Sequence, residues 1–224
     1  MLCPSRRATS SIEEPSQQNI IGVGQFTIVH RINNKTVRKV PSDKSYVYSV
    51  EAVEIEAKVY NHLGNHKQIA RCIRASNDYV DLHYEPNGNL ESYLANHPLS
   101  PEWRYRFARQ AVEAAMYIHK MDVIHSDLSA RQFLVDESCN LRLSDFGGSS
   151  LNGSSAIVME NATHFLPRDE ESPNSVKSDL FALGSTIYEI LVGRKPYDGV
   201  EDEEVQRLYS SGEFPSLDGI ESAH

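Results

Sequence analysis

Two glycines, a lysine and three carboxylates follow one another along the chain in an order that could bind and transfer a phosphoryl group. They are Gly22, Gly24, Lys39, Glu56, Asp127 and Asp145. A nucleoside triphosphate needs close backbone approach to its phosphates, a positive charge, a metal clamp and a residue that orients the attacking hydroxyl. Glycines permit the approach because they lack a β-carbon, and a lysine paired with a glutamate supplies a fixed charge. Two aspartates then remain for the metal ion and the hydroxyl.

Each of these pieces taken alone has a simpler explanation. Gly-x-Gly occurs in many turns, and a single lysine or glutamate usually belongs to a solvated surface. A dinucleotide-binding loop is a further alternative for Gly22 and Gly24, but it needs an acidic residue about 20 residues further on, and Lys39 lies near that position. The two aspartates could be ordinary residues of polar turns. Only their combined order favours nucleotide chemistry.

That order resembles the motif order of the eukaryotic protein kinases. The matching pieces, between about Ile20 and Gly212, are G-V-G at 22–24, Lys39, Glu56, H-S-D at 125–127 and D-F-G at 145–147. The resemblance implies an α+β, two-lobed fold, with a small antiparallel-sheet N-lobe that carries one helix and a mainly helical C-lobe. We expect a flexible tail over residues 1–18, the N-lobe over 19–84 and an incomplete C-lobe over 85–224 that lacks its last helices.

The resemblance also implies roles for four catalytic residues. Lys39 would contact the α and β phosphates, and Glu56 would hold Lys39 in place. Asp127 would orient the substrate hydroxyl and accept its proton, and Arg131 would stabilise the γ-phosphate. Glu56 fits the pattern better than other glutamates of its segment because apolar residues follow it at the third, fourth and seventh positions.

The implied cofactors are ATP and Mg²⁺, with Asp145 and Gln132 as the metal-binding residues. The nucleotide would be enclosed by the glycine-rich loop, by apolar side chains above and below the base, and by the backbone of the segment that joins the lobes. The residues implied for this role are Gly22, Val23, Gly24, Val29, Val37, Lys39, Leu82, His83, Tyr84, Glu85 and Leu134. His125 and Phe146 are expected to pack on Tyr60 and to be anchored by Asp179, without a reactive role.

Four positions depart from the kinase pattern. Ser126 replaces an arginine that would pair with a phosphorylated activation segment, so regulation by such phosphorylation is in doubt. Gln132 replaces an asparagine that helps to hold a second Mg²⁺, and Val37 adds bulk beside the base. Arg168 replaces a glutamate that normally locks the C-lobe to an arginine near its end, and we find no counterpart of that arginine in the sequence.

Hydrophobic periodicity predicts the elements that position these residues. Between Ile20 and Val40, a glycine pair and the turn signal Asn33-Asn34 predict a hairpin followed by another short strand, and the helical face at 50–63 ends at Gly64. Further predicted elements are a strand at 79–84, a helix from Pro101 to Met121 with Ser100 as N-cap, short strands at 133–135 and 141–143, an irregular segment at 148–176 and a helix at 178–192.

Composition narrows the class of function. The 224 residues carry 22 Lys and Arg against 31 Asp and Glu, a formal charge of −9, which argues against binding to nucleic acid or to an anionic membrane surface. The three cysteines show no metal or disulfide spacing, and no segment is apolar enough to span a membrane. We therefore expect a cytoplasmic protein, with the nucleus as the alternative compartment.

Three functions stay open at this point. The first is a kinase that transfers the γ-phosphate of Mg·ATP to a protein Ser or Thr, with Tyr as an alternative because Arg131 follows the tyrosine-kinase pattern. The second is a pseudokinase or scaffold that acts through protein partners, and the third is a truncated chain without an independent role. The expected partner is a protein substrate or a scaffold partner, and the sequence does not predict an oligomeric state.

Overall fold

A five-stranded antiparallel sheet forms the N-terminal part of the molecule. The computed structural model describes residues 19–169 and 171–217, so the tail predicted for 1–18 lies outside the described residues. The strands are β1 (Ile20–Val23), β2 (Thr27–Asn33), β3 (Thr36–Pro41), β4 (Cys72–Ala75) and β5 (Val80–His83), in the order β1-β2-β3-β5-β4. The predicted hairpin and the short strand after it are confirmed as β1, β2 and β3, but the turn between β2 and β3 lies at Asn34-Lys35 instead of Asn33-Asn34. Strand β4 was not predicted.

Helix α1 (Val47–Leu63) packs against this sheet. Its inner face carries Val53, Ala57, Tyr60 and Leu63, all nearly or fully buried, which confirms the predicted apolar face. Gly64 ends the helix with a φ of 64°, a left-handed value that favours glycine. The helix begins three residues earlier than predicted.

The remaining elements are mainly helical, as the resemblance implies. They are α2 (Leu90–Asn96), α3 (Pro101–Lys120), β6 (Val123–Ile124), β7 (Phe133–Val135), β8 (Leu141–Leu143), β9 (Ser150–Leu151), α4 (Val176–Val192) and α5 (Asp202–Ser210). β7 pairs with β8 at the predicted bounds, and β6 pairs with β9. The two short ribbons place residues 125–127 and 144–147 on adjacent loops.

The long helices α3 and α4 form the core of this lobe. The α3 stripe that includes Phe107, Ala111 and Ile118 is completely buried, and α3 packs chiefly against α4. Ser100 occupies the N-cap position of α3 but its side chain makes no capping hydrogen bond, so that prediction is only half right. Ser175 caps α4 in a capping box, in which the side chains of Ser175 and Ser178 each accept a hydrogen bond from the other's backbone amide. Helix α4 therefore begins two residues before the predicted start.

Two further observations concern the predicted absences. None of the helices within residues 19–169 and 171–217 is long and apolar enough to cross a membrane. Cys72 and Cys139 are both free thiols, and burial raises the pKa of Cys72 to about 11, which leaves it protonated at neutral pH. Cys3 lies outside the described residues.

A buried carboxyl on α4 gives the C-lobe a pH-dependent stability. Glu189 faces His164 of the short 3₁₀ turn Ala162–His164, with 3.9 Å between Glu189 Oε2 and His164 Nε2. Neither atom has a hydrogen-bond partner within the described part of the chain. Burial raises the pKa of Glu189 to about 7 and lowers the pKa of His164 to about 3, so the carboxyl holds the proton in weakly acidic solution.

We therefore expect Glu189→Gln to stabilise the protein in a pH-dependent way. The unfolded chain releases the Glu189 proton near its ordinary pKa and the folded chain only near 7, so wild-type stability falls as the pH rises between these values. The variant lacks this loss. The difference in the free energy of unfolding between variant and wild type should therefore be about 1 to 3 kcal/mol larger, in favour of the variant, at pH 8 than at pH 4.5. The titration of His164 occurs in both proteins and cancels in the difference. Urea unfolding at both pH values measures the effect, and an equal difference at both would contradict it.

Candidate active site

The predicted site residues converge on one cleft of about 540 Å³ between the two lobes. Its lining includes Gly22, Val23, Gly24, Val29, Val37, Lys39, Leu82, His83, Tyr84, Glu85, Asp127, Arg131, Gln132, Leu134 and Asp145. Glu56 is the one predicted site residue outside this lining, because it lies fully buried behind Lys39. The cleft thus brings together residues from seven separate segments of the sequence.

A buried ammonium group between two carboxylates forms the centre of the cleft. Lys39 Nζ lies 2.8 Å from Glu56 Oε1 and 2.6 Å from Asp145 Oδ1. The central strand β3 carries Lys39, and α1 directs Glu56 onto it from the inner side of the sheet. The three groups therefore connect the sheet, the helix of the N-lobe and a loop of the C-lobe.

The charges of these three groups depend on one another. Burial acts to lower the pKa of Lys39, but the carboxylates of Asp145 and Glu56 outweigh it and raise that pKa. Lys39 in turn holds the pKa of Asp145 below its ordinary value, so Asp145 is ionised at neutral pH. Burial raises the pKa of Glu56, although Lys39 opposes this shift. The Asp145 side chain is still 50% exposed, towards the cleft.

Aromatic rings in edge-on and tilted contact position the loop that carries Asp145. The Phe146 ring lies 5.2 Å from the Tyr60 ring and 5.2 Å from the His125 ring, and all three side chains are buried. Asp179 on α4 accepts hydrogen bonds from the amides of His125 at 2.8 Å and Ser126 at 2.9 Å. The expected packing of these residues is thereby confirmed, and it connects α1 to α4 through the site.

Asp127 lies on the neighbouring loop with two polar companions. Gln132 donates its side-chain amide to Asp127 Oδ2, and Arg131 Nη2 lies 3.6 Å from the same oxygen. Burial raises the pKa of Asp127, which brings this carboxyl closer to the range in which a general base is effective. Arg131 keeps 62% of its side chain exposed and remains available to a ligand.

Apolar side chains line the part of the cleft predicted for the base. Val29, Val37 and Leu134 line it together with Leu82, the last apolar residue of β5. The amides of His83 and Tyr84 already donate to the carbonyls of Arg71 and Lys35.

The amide of Glu85 differs from these two. Within residues 19–169 and 171–217 it makes no backbone hydrogen bond. Of the three amides in the segment predicted to bind the base, Glu85 therefore offers the available donor. This narrows the expectation that the backbone of all three residues serves the base.

The glycine loop leaves space on the cleft side of the sheet. A β-carbon added to Gly22 would meet Val29 at 3.6 Å, and one added to Gly24 would meet Thr27 at 3.5 Å, both ordinary contacts. Neither glycine has a positive φ. Because the fold itself does not require glycine at these positions, close approach of a ligand is the better physical reason for them.

The residues present suit a magnesium ion that a nucleotide completes. Asp145 offers an ionised carboxylate, and Gln132 retains its amide oxygen as a ligand because its nitrogen donates to Asp127. Mg²⁺ prefers such oxygen ligands and usually takes further ones from phosphates and water. In the described part of the chain no three His, Cys, Asp or Glu side chains form a ready-made metal site.

The departures from the kinase pattern have clear structural consequences. Ser126 is buried with a φ of 72°. Its backbone amide donates a hydrogen bond to Asp179, which holds this left-handed conformation. The guanidinium of Arg168 lies 2.8 Å from Glu160, a partner that was not predicted from the sequence. Val158 of the same segment also lines the cleft. No sequence signal identified Val158, since the segment shows no apolar period.

Comparison with known proteins agrees with the geometry. Residues 16–218 match the model of the family described as protein tyrosine and serine/threonine kinase. The chain is 29% identical to serine/threonine-protein kinase PrkC of Bacillus subtilis, over 62% of this chain and 22% of that protein. It is 30% identical to lectin-domain containing receptor kinase VI.4 of Arabidopsis thaliana, over 94% of this chain and 34% of that protein. It is 28% identical to serine/threonine-protein kinase PKH3 of Eremothecium gossypii, over 82% of this chain and 29% of that protein. The chain thus spans about a fifth to a third of each relative.

Replacement of the central lysine tests the buried charge arrangement. Lys39→Met leaves Glu56 buried without its partner, and we expect a loss of about 3 kcal/mol in the free energy of unfolding at pH 7.5. The loss should shrink at pH 5. Without Lys39 the folded-state pKa of Glu56 rises further above its unfolded value, so the folded variant takes up a proton as the pH falls and its stability rises.

Urea unfolding of the metal-free protein measures both values. Lys58→Met is the matched control, because Lys58 forms an exposed pair with Glu54 on the same helix at 3.4 Å. Its effect should stay within about 0.5 kcal/mol. Equal losses for the two variants would contradict the proposed charge arrangement.

Proposed function

Because the chain belongs to the protein tyrosine and serine/threonine kinase family, we propose that it transfers the γ-phosphoryl group of Mg·ATP to a hydroxyl of a protein substrate. The observation that carries this proposal is the convergence of Lys39, Glu56, Asp145 and Asp127 around one cleft. Phosphoryl transfer is catalysed chiefly by positioning and charge stabilisation, and these four groups supply both. Serine or threonine is the proposed acceptor, with tyrosine as an outcome of the test.

The proposed roles follow from the position and charge of each group. Lys39, fixed by Glu56, provides the cation for the nucleotide phosphates, and the ionised Asp145 provides the metal ligand. Asp127, with its raised pKa, holds the substrate hydroxyl and accepts its proton. Arg131 stabilises negative charge on the transferred group from its exposed position next to Asp127. Bound Mg²⁺ would neutralise phosphate charge in this cleft.

The proposed nucleotide position uses the remaining predicted residues. The base lies between the Val29 and Val37 side chains and Leu134, and the Glu85 amide donates a hydrogen bond to it. The loop at Gly22 and Gly24 covers the phosphates. Val37 narrows the entrance for the base, so we expect weaker nucleotide binding than a smaller residue would allow.

A second candidate function is a scaffold that binds nucleotide without turnover. The Gln132 side chain favours it, because its amide oxygen lies one methylene farther from the backbone than that of the asparagine in the kinase pattern. A ligand displaced in this way fits the strict octahedral geometry of Mg²⁺ less well. The two functions predict different results in the same assay.

The assay compares phosphotransfer from labelled ATP to a mixed protein substrate by wild type, Asp127→Asn and Asp145→Asn. We expect each variant to transfer about 100 to 1,000 times more slowly, since each lacks one electrostatic partner of the reaction. Asp202→Asn is the control, because Asp202 is exposed at the start of α5, and it should match wild type. Phosphoamino-acid identification of the product distinguishes serine or threonine from tyrosine.

A scaffold would give another pattern. Mg·ATP would raise the melting temperature of wild type, yet no label would be incorporated above the level of the Asp145→Asn variant. Such a result would reject phosphoryl transfer and favour the second function. Incorporation that does not depend on either aspartate would point to a contaminating kinase and would also contradict the proposal.

A further inference from the structure

The segment between β9 and α4 holds a buried ion pair outside the proposed catalytic groups. Arg168 Nη2 lies 2.8 Å from Glu160 Oε2, with side chains that are 10% and 0% exposed. Most short exposed pairs contribute little, as expected for Arg207 and Glu204 at 57% and 48% exposure. Burying an ion pair costs desolvation energy, and removing one partner strongly destabilises the protein because the other charge is left buried alone. The position of Arg168 and Glu160 therefore needs a specific explanation.

Arg168 also holds the chain on both sides of this pair. Its guanidinium donates to Asn174 Oδ1 and to the Leu166 carbonyl, and it lies 4.3 Å above the Phe165 ring. Asn174 then donates through Nδ2 to the Val158 carbonyl at 2.8 Å. We call the side chains of Glu160, Arg168 and Asn174, with these bonds, the segment clamp.

The segment clamp reaches the cleft through two apolar residues. Val158, whose carbonyl the clamp holds, lines the cleft and packs so closely on Gly148 that any β-carbon there would overlap it. The amide of Ile157 donates to the Gly148 carbonyl at 3.1 Å. Gly148 follows Asp145 by three residues, so these contacts fix the chain immediately after the proposed metal ligand.

The hydrogen bonding of the clamp favours positioning over stabilisation. Glu160 Oε1 and Arg168 Nε are buried and have no hydrogen-bond partner within the part of the chain that the structure describes. A buried ion pair that is incompletely satisfied adds little net stability. Its effect is then chiefly to define one arrangement of the segment.

We propose that Arg168 is a positioning residue for phosphoryl transfer, which holds residues 157–169 and 171–174 against the Asp145 loop through Glu160 and Asn174. The arrangement needs no phosphate on the segment, because the Glu160 carboxylate supplies the negative charge that pairs with Arg168. The position where kinases carry a phosphate-binding arginine holds the buried Ser126 instead. This proposal rests on the proposed function for its catalytic part only.

The test uses Glu160→Gln and Arg168→Met in the full chain. We expect kcat to fall about tenfold or more while KM for ATP stays within about twofold, because the base pocket is unchanged and the reacting groups are displaced. Amide hydrogen exchange at 156–161 should become faster while exchange in α3 is unchanged. Arg168→Lys, which keeps the charge, should retain more activity than Arg168→Met. The control Glu204→Gln removes an exposed pair and should match wild type.

Other results would overturn the proposal. If both variants keep the kcat and the amide exchange rates of wild type, the clamp does not position the segment. If exchange also becomes faster throughout α3, the clamp contributes to the stability of the whole lobe and does not specifically position the segment. If Arg168→Lys lowers kcat as much as Arg168→Met does, the charge at this position is not the cause of the effect. Activity that phosphatase treatment abolishes and ATP restores would reject phosphate independence. If wild type transfers no phosphate, the proposed function fails, and the exchange data alone decide whether the clamp orders the segment.

Discussion

The site depends on one buried ammonium group with two carboxylate partners. Lys39 contributes a positive charge where water is excluded, and only the negative charges of Glu56 and Asp145 make that burial tolerable. The three residues come from a strand, a helix and a loop of the other lobe. Any movement of α1 or of the Asp145 loop would separate charges in a low dielectric, so the ion pairs resist such movement. The same interaction that prepares the cleft for phosphate therefore also sets how the two lobes meet.

Buried polar bonds extend this constraint into the C-lobe. Two residues beside the proposed catalytic groups have left-handed backbone, Ser126 with a φ of 72° and Asp145 with a φ of 66°. Such conformations are unfavourable for residues with a side chain and persist when the surroundings define them. Asp179 fixes the first through the Ser126 amide, and the packing of Phe146 between Tyr60 and His125 fixes the second. At these two of the six described non-glycine residues with positive φ, the backbone sets the direction of a carboxylate in the proposed chemistry.

The sequence predicted the residues of the cleft better than it predicted the elements that hold them. Lys39, Asp127 and Asp145 could be found because their order along the chain resembles the kinase motif order, and the apolar residues after Glu56 identified its register. Strand β4 escaped prediction because its residues are all half-buried or exposed and give no alternation. Helices α2 and α5, with seven and nine residues, are too short for a clear helical period. Periodicity reports burial on one face. Strand β4 lacks such a face, and α2 and α5 each bury only two residues, Leu90 with Leu94 and Val205 with Tyr209.

The partner of Arg168 illustrates a different limit of sequence reasoning. The sequence showed only that an arginine stands where the family pattern places a glutamate, and it did not predict which residue Arg168 contacts. In the structure Arg168 pairs with Glu160, eight residues earlier in the same segment. The positive charge is therefore at the position where the family pattern has the negative one, and both partners belong to one segment. An irregular segment carries no period from which such a contact could be predicted, yet its short length makes closure inexpensive in chain entropy. A local pair of this kind can order a segment independently of the rest of the lobe, whereas a pair to a distant helix would couple the two.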